Sequence, residues 1–203
     1  VYAFLRSEGV LPNEADVHAF IDQRFVPVAM PRTEKKRYRE QAKNIWKSYL
    51  AAAHFEATDM LETDFFSQRV LVDGVPISGK IDKMIKDEQN KTMTVIDFKT
   101  GKKKTSWSSS DPDTAMQLYD YKRQLLFYTL LVKFSRDYSS YQVSSGALEF
   151  LTDDTTLAVL RYDIDVAEVE RMRKLIVAVD KKIRALDFVD VSDYEPTLKG
   201  VMA

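Results

Sequence analysis

Apolar positions from Val17 onward recur at helical spacing through Phe20, Ile21 and Phe25, with Asn13-Glu14-Ala15-Asp16 as a capping segment and Pro27 as a stop. Thr33 opens a long charged stretch in which Tyr38, Ala42, Ile45, Trp46, Tyr49 and Leu50 form one stripe. That pattern predicts a surface helix ending between His54 and Thr58. From Glu62 the period changes to two. Phe66, Val70 and Val72 lead into Asp73-Gly74, a tight-turn dipeptide, and a second strand is expected from Val75 to Ile85. A polar turn from Asp87 to Lys91 leads to Met93 through Lys99, so three antiparallel strands are the simplest reading. Thr100 to Thr114, rich in Lys, Ser, Gly and Asp, reads as an exposed, mobile loop. A helix from Gln117 to Phe134, strands from Val143 to Leu151 and Leu157 to Tyr162, and an amphipathic helix from Val166 to Leu186 complete the chain. The order predicts a mixed α/β core with an N-terminal helical part.

At 203 residues the chain can bury a real core, and 45% hydrophobic against 30% charged residues describes an ordinary globular protein. No apolar run approaches membrane-spanning length. The start, Val1-Tyr2-Ala3-Phe4, has neither an initiator Met nor a signal segment, and reads as a piece cut from a longer polypeptide. The absence of cysteine removes disulfides, thiolate metal sites and thiol nucleophiles, and suits a reducing cytoplasmic setting. Any metal must therefore sit on oxygen or on histidine nitrogen. A formal charge of -1 is awkward for a free-standing nucleic-acid binder, so a DNA-acting chain of this charge would need its substrate delivered.

The chemistry concentrates in Gly79-Lys80-Ile81-Asp82 on one strand and Ile96-Asp97-Phe98-Lys99-Thr100-Gly101 at the end of the next. Side chains two apart in a strand share a face, so Asp97 and Lys99 project together while Ile96 and Phe98 point into the core. In a paired hairpin Asp82 joins them. Two carboxylates about 4 Å apart repel by roughly 4 kcal/mol at an effective dielectric near 20, a cost that a divalent cation turns into a gain. Oxygen ligands suit Mg²⁺ or Mn²⁺, which polarise a phosphoryl oxygen and lower the pKa of a bound water. A bare Asp-x-Lys is most often an exposed strand pair, so spacing alone does not carry the reading.

The wider context does. Gly79 to Asp82, then Val95 to Gly101, then Gln124-Leu125-Leu126-Phe127-Tyr128 resemble the successive motifs of RecB-like PD-(D/E)XK nucleases, as found at the C-terminus of UvrD/Rep-type helicases and in AddAB-type enzymes. Val17-His18-Ala19-Phe20-Ile21-Asp22 is similar to the family's helical histidine motif. The resemblance implies a restriction-endonuclease-like mixed sheet flanked by helices. It implies that residues 1–60 carry the histidine motif and residues 61–203 the nuclease core. It further implies that His18, Asp82, Asp97 and the Phe98 carbonyl bind the metal, that Lys99 is the catalytic lysine, and that Gln124 and Tyr128 act beside it. Gln117 to Tyr121 repeats the Gln-to-Tyr spacing, but the Gln124 context matches better. Glu62, where many relatives carry a glutamate, is a lesser candidate for the metal or its surroundings. Many relatives hold an iron-sulfur cluster on four cysteines, which this chain lacks.

Lys102, Lys103 and Lys104 with Trp107 are candidates to follow a phosphate backbone and stack a base, though a solvated charge run explains them equally well. Gly74 to Lys80 mimics a phosphate-binding loop, but Ile81 replaces the needed Ser or Thr and the run alternates like a strand. Asn90-Lys91-Thr92 fits a glycosylation sequon that has no secretory signal to give it meaning. The expected function is metal-dependent hydrolysis of DNA, exonuclease-type, beside a helicase in repair or recombination. A module that only holds single-stranded DNA, or a restriction-type endonuclease, are the alternatives.

Overall fold

In the computed structural model, residues 9–52, 60–65, 69–152 and 157–188 are described, with the backbone alone for 52 and 60–64. Asn13 caps the first helix, α1 (Glu14–Phe25), by accepting from Asp16 N at 2.9 Å. A second helix, α2 (Arg32–Ala52), lies against it. Asp22 of α1 takes Lys43 Nζ at 2.9 Å and Arg39 Nε at 3.4 Å, so charge pairs as well as the apolar stripe join the two helices. The expected end of α2 between His54 and Thr58 lies outside the described residues, as does Phe66.

The central sheet has five strands in the order β1-β4-β5-β6-β7. These are β1 (Met60–Asp64), β4 (Lys80–Asp87), β5 (Thr92–Lys99), β6 (Gln142–Phe150) and β7 (Ala158–Asp163). The β5 and β6 pair is parallel and the other neighbours are antiparallel, which makes the sheet mixed. The Asp73-Gly74 turn forms as the sequence predicts, with φ of 52° and 85°, the left-handed values a primed hairpin turn needs. Its strands, β2 (Val70–Val72) and β3 (Val75–Ile77), form a separate two-stranded ribbon. The single strand expected from Val75 to Ile85 is therefore broken at Ser78-Gly79. The reason is steric: a Cβ on Gly79 would come within 2.8 Å of Leu131 Cδ1, so the chain passes hard beneath the crossover helix.

That helix, α3 (Pro112–Phe134), links β5 to its parallel neighbour β6. It starts earlier than its apolar pattern implies, because Asp111 accepts from Thr114 N at 2.9 Å and Pro112 fills the first turn. Leu125 and Leu131 pack on the sheet with Met84, Val95 and Leu148, while Leu126 and Leu130 pack with Val169 and Met172 of α4 (Val166–Ala185). Burial on two sides explains why α3 shows little one-sided periodicity.

On the opposite face, the sheet meets α2 at Tyr49. Tyr49 meets Phe98 edge-on at 5.9 Å and donates to Glu149 Oε2 at 2.7 Å; Glu149 Oε1 lies 3.6 Å from Lys83 Nζ. Strand β5 is thus covered on both faces, and Asp97, expected only to share a face with Lys99, is itself 3% exposed. No described helix is long and apolar enough to cross a membrane.

Candidate active site

Antiparallel pairing of Lys83 with Ile96 places Asp82 and Asp97 opposite one another one position further along the two strands. Asp82 turns its side chain into the ladder there, and Oδ2 accepts the Phe98 N–H at 2.9 Å. The pairs Leu61 with Lys83 and Thr63 with Ile81 likewise put the Glu62 backbone opposite Asp82, although its side chain lies outside the description. Three neighbouring strands therefore bring Glu62, Asp82 and Asp97 into one row across the sheet.

Helix α3 supplies the remaining groups. Gln124 and Tyr128, one turn apart, face the strand ends: Gln124 Nε2 donates to Asp97 Oδ1 at 2.7 Å, and the Tyr128 hydroxyl donates to the same oxygen at 2.8 Å. Gln124 Oε1 accepts from Lys99 Nζ at 2.8 Å. The amide has one workable orientation, because its oxygen must meet the ammonium and its nitrogen the carboxylate. Lys99 Nζ also lies 2.7 Å from Asp97 Oδ2 and 4.4 Å from the centre of the Tyr121 ring. Charge, amide and aromatic face together hold the ammonium at one place.

Burial raises the Asp82 pKa above the ordinary carboxylate range; the Phe98 N–H pulls the other way, and the neighbouring Asp97 charge pushes it up again. Burial, then the Asp97 charge, drives the Tyr128 phenol well above its usual value, so it is a donor at any working pH. Despite its proximity to Lys99, Asp97 Oδ2 is buried without an aligned hydrogen bond. Two carboxylates on neighbouring strands, one set against a lysine ammonium and the other disfavoured as an anion by burial, form an oxygen donor set of the kind a hard divalent cation takes.

The structure brings Asp82, Asp97, Lys99, Gln124 and Tyr128 together, with Phe98 between the two charged residues of β5. It does not assemble the full expected ligand set: among the described residues, no group of three His, Cys, Asp or Glu side chains is gathered at metal spacing. His18 lies on α1, 3.7 Å from Glu14 Oε1. Lys102 and Lys103 are exposed beyond Lys99, and Lys104 is half-buried. Trp107 is pinned: its indole N–H donates to the Arg161 carbonyl at 2.5 Å and its ring meets Tyr162 at 5.2 Å. The loop expected to be mobile thus has a fixed point on β7. Tyr121 was not singled out by sequence reasoning as a site residue, although its position three residues before Gln124 puts it on the same helix face. Lys83, Glu149 and Tyr49 carry no motif at all.

A search of curated proteins finds no match. A family model described as the PD-(D/E)XK nuclease superfamily matches residues 4–197. That span contains both strands of the carboxylate pair, the lysine and the helix that orients it, and the chain belongs to the PD-(D/E)XK nuclease superfamily.

Proposed function

We propose that this chain is the nuclease part of a RecB-like helicase-nuclease, hydrolysing phosphodiester bonds in single-stranded or unwound DNA during repair or recombination. Superfamily membership implies a metal-dependent nuclease and DNA binding. The observation that carries the finer reading is one connected set of hydrogen bonds, Tyr128 to Asp97 to Gln124 to Lys99, beside Asp82. It joins the residues of three separate sequence motifs.

In this reading Asp82 and Asp97 would hold Mg²⁺ or Mn²⁺, with the Phe98 carbonyl as a further ligand and Glu62 nearby, and His18 would join them only by leaving its place beside Glu14. The cation, when bound, supplies positive charge to the attacked phosphate and lowers the pKa of water. The chain's own residues do the positioning. Lys99 presents a fixed ammonium to orient water and stabilise charge building on phosphate oxygens. Gln124 keeps Lys99 and Asp97 in register, and Tyr128, always protonated, fixes the Asp97 carboxylate through Oδ1 while Oδ2 lies against Lys99. Lys102, Lys103 and Lys104 follow the substrate backbone; Trp107, if it also stacks a base, must do so from its seat on Tyr162. The helical part (1–60) and the core (61–203) work as one unit, and a cytoplasmic helicase motor supplies strand separation.

End-labelled linear and covalently circular single strands, each with and without Mg²⁺ or Mn²⁺, separate the alternatives. An exonuclease degrades only the linear form. Cutting of the circle identifies an endonuclease, and metal-independent binding without cutting identifies a holding module.

A further inference from the structure

Helix α4 buries its first turns and bares its last. Val169 and Met172 pack with Leu126 and Leu130 of α3, but the stripe they begin runs on through Leu175, Val179 and Ile183, which are 41%, 46% and 53% exposed. Spacings of three and four keep these residues on one helix face, so α4 continues an apolar stripe past the helix that buries it. The inner end of the stripe opens into a cleft of about 220 Å³ between α3 and α4. Tyr119, Leu126, Met172 and Leu175 give the cleft its apolar lining, while Lys122, Arg123 and Arg171 set three cations against the single carboxylate of Glu168. Among the described residues, Arg123 and Arg171 meet carboxylates only one turn away on their own helices, at 3.4 and 3.8 Å, exposed pairs that neutralise little. Lys122 lies over the rings of Trp107 and Tyr162, with no carboxylate in ion-pair range among the described residues. The cleft therefore suits an occupant that is both apolar and acidic.

The chain carries such a segment directly after α4. The helix ends on Leu186 in the left-handed conformation, with φ of 54°; the Leu186 N–H donates to the Ile183 carbonyl and the Asp187 N–H to the Lys182 carbonyl, a cap that redirects the chain across the last turn. The Asp187 carboxylate then lies 3.4 Å from Lys182 Nζ. From there the sequence runs Asp187-Phe188-Val189-Asp190-Val191-Ser192-Asp193-Tyr194-Glu195, four carboxylates and no cation, with apolar residues between them. Its part beyond Phe188 lies outside the described residues. The distance from Leu186 back to Leu175 is about 17 Å of helix axis, which an extended chain covers in about five residues. That arithmetic brings Val191 level with Leu175 and Asp193 level with Arg171.

We propose that residues 187–195 form an intramolecular strap on this face, with Phe188 over Ile183, Val191 over Leu175, and Asp193 and Glu195 against Arg171, Lys122 and Arg123. Attachment to the end of α4 gives the strap an effective concentration at the cleft that a second copy of the chain does not match. The strap shields an apolar stripe that would otherwise pair with other molecules. It is independent of the nuclease reading, because Tyr119, Lys122 and Leu126 occupy the face of α3 opposite Tyr121, Gln124 and Tyr128.

The absence of cysteine makes a distance measurement direct. Spin labels on Gln117→Cys and Ser192→Cys in the whole chain, diluted with unlabelled protein, report the separation across the cleft by pulsed electron paramagnetic resonance. A single narrow distance is expected. Arg171→Glu should broaden it, and adding Asp193→Arg should restore the narrow distance, a rescue that apolar packing alone does not give. A broad distribution in the parent, indifference to Arg171→Glu, or no recovery with Asp193→Arg overturns the strap. A narrow distance that disappears on dilution with unlabelled chain assigns the cleft to a second copy and overturns it equally.

Discussion

Gln124 joins Lys99 to Asp97, which also accepts from Tyr128, whereas Asp82 accepts the Phe98 N–H and is disfavoured as an anion by burial. Asp82 and Asp97 lie opposite each other on neighbouring strands, and burial, more than the Asp97 charge, raises the Asp82 pKa, so the ionised Asp82 is disfavoured in the metal-free fold. Asp82→Asn is expected to raise the melting temperature of metal-free protein by about 2–4 °C and to remove the further rise on adding Mg²⁺. Thermal denaturation with EDTA or Mg²⁺ checks both; a Mg²⁺-dependent rise as large as wild type would count against Asp82 as a ligand. On the other face, Glu149 is buried between Tyr49 and Lys83. Removing one member of a buried ion pair costs about 3 kcal/mol or more, so Glu149→Leu should shift the urea midpoint downward with an unchanged slope. An unaltered midpoint would show that Lys83 is held mainly by other groups. Asp97 with Lys99, and Gln124 with Tyr128, were legible in the sequence because spacings of two and four define faces. Lys83 and Glu149 were not, because a charged residue in an alternating strand reads as solvent-facing until another element covers it.

The turn between β4 and β5 shows how an exposed element can depend on pH. Glu88 accepts from Tyr141 at 2.5 Å, Lys91 at 2.9 Å and Lys86 at 3.0 Å, and these bonds, Tyr141 first, hold its pKa at about 2 instead of 4.5. A depressed folded-state pKa gives stability that is present above the unfolded value and lost as pH falls through the folded one. Acid should therefore weaken the fold between about pH 4.5 and 2, and Tyr141→Phe should make that decline shallower. Melting curves across this range measure it, and identical acid limbs for the two proteins would dismiss the contribution. The hairpin itself was legible from the period-two pattern and the polar turn at Asp87 to Lys91. Two features at this scale were not: the break at Gly79, set by Leu131 of a helix more than 30 residues away, and the parallel pairing of β5 with β6. Periodicity records which residues are buried and is silent on strand direction.

Across the whole molecule, the mixed α/β core and the N-terminal helical part followed from the order of elements, the mixed sheet was implied only by the family resemblance, and the site was read from motifs on β4, β5 and α3. What composition concealed was the segregation of charge, since a total of -1 gives no hint that α2 is basic. With few unneutralised cations, the isolated chain should bind DNA weakly and with a shallow salt slope. Fluorescence anisotropy between 50 and 200 mM salt, about the range over which extensive phosphate binders lose several orders of magnitude, would expose a steep slope if the basic surface is larger than described. The central claim is that Asp82, Asp97 and Lys99 form a hydrolytic centre. Its most direct test is cleavage of labelled DNA by wild type and by Lys99→Ala, each in EDTA, Mg²⁺ and Mn²⁺, with circular dichroism to establish folding. The account predicts that wild type cuts only with metal and that folded Lys99→Ala loses about 100-fold or more of the rate. Undiminished cleavage by folded Lys99→Ala would contradict it.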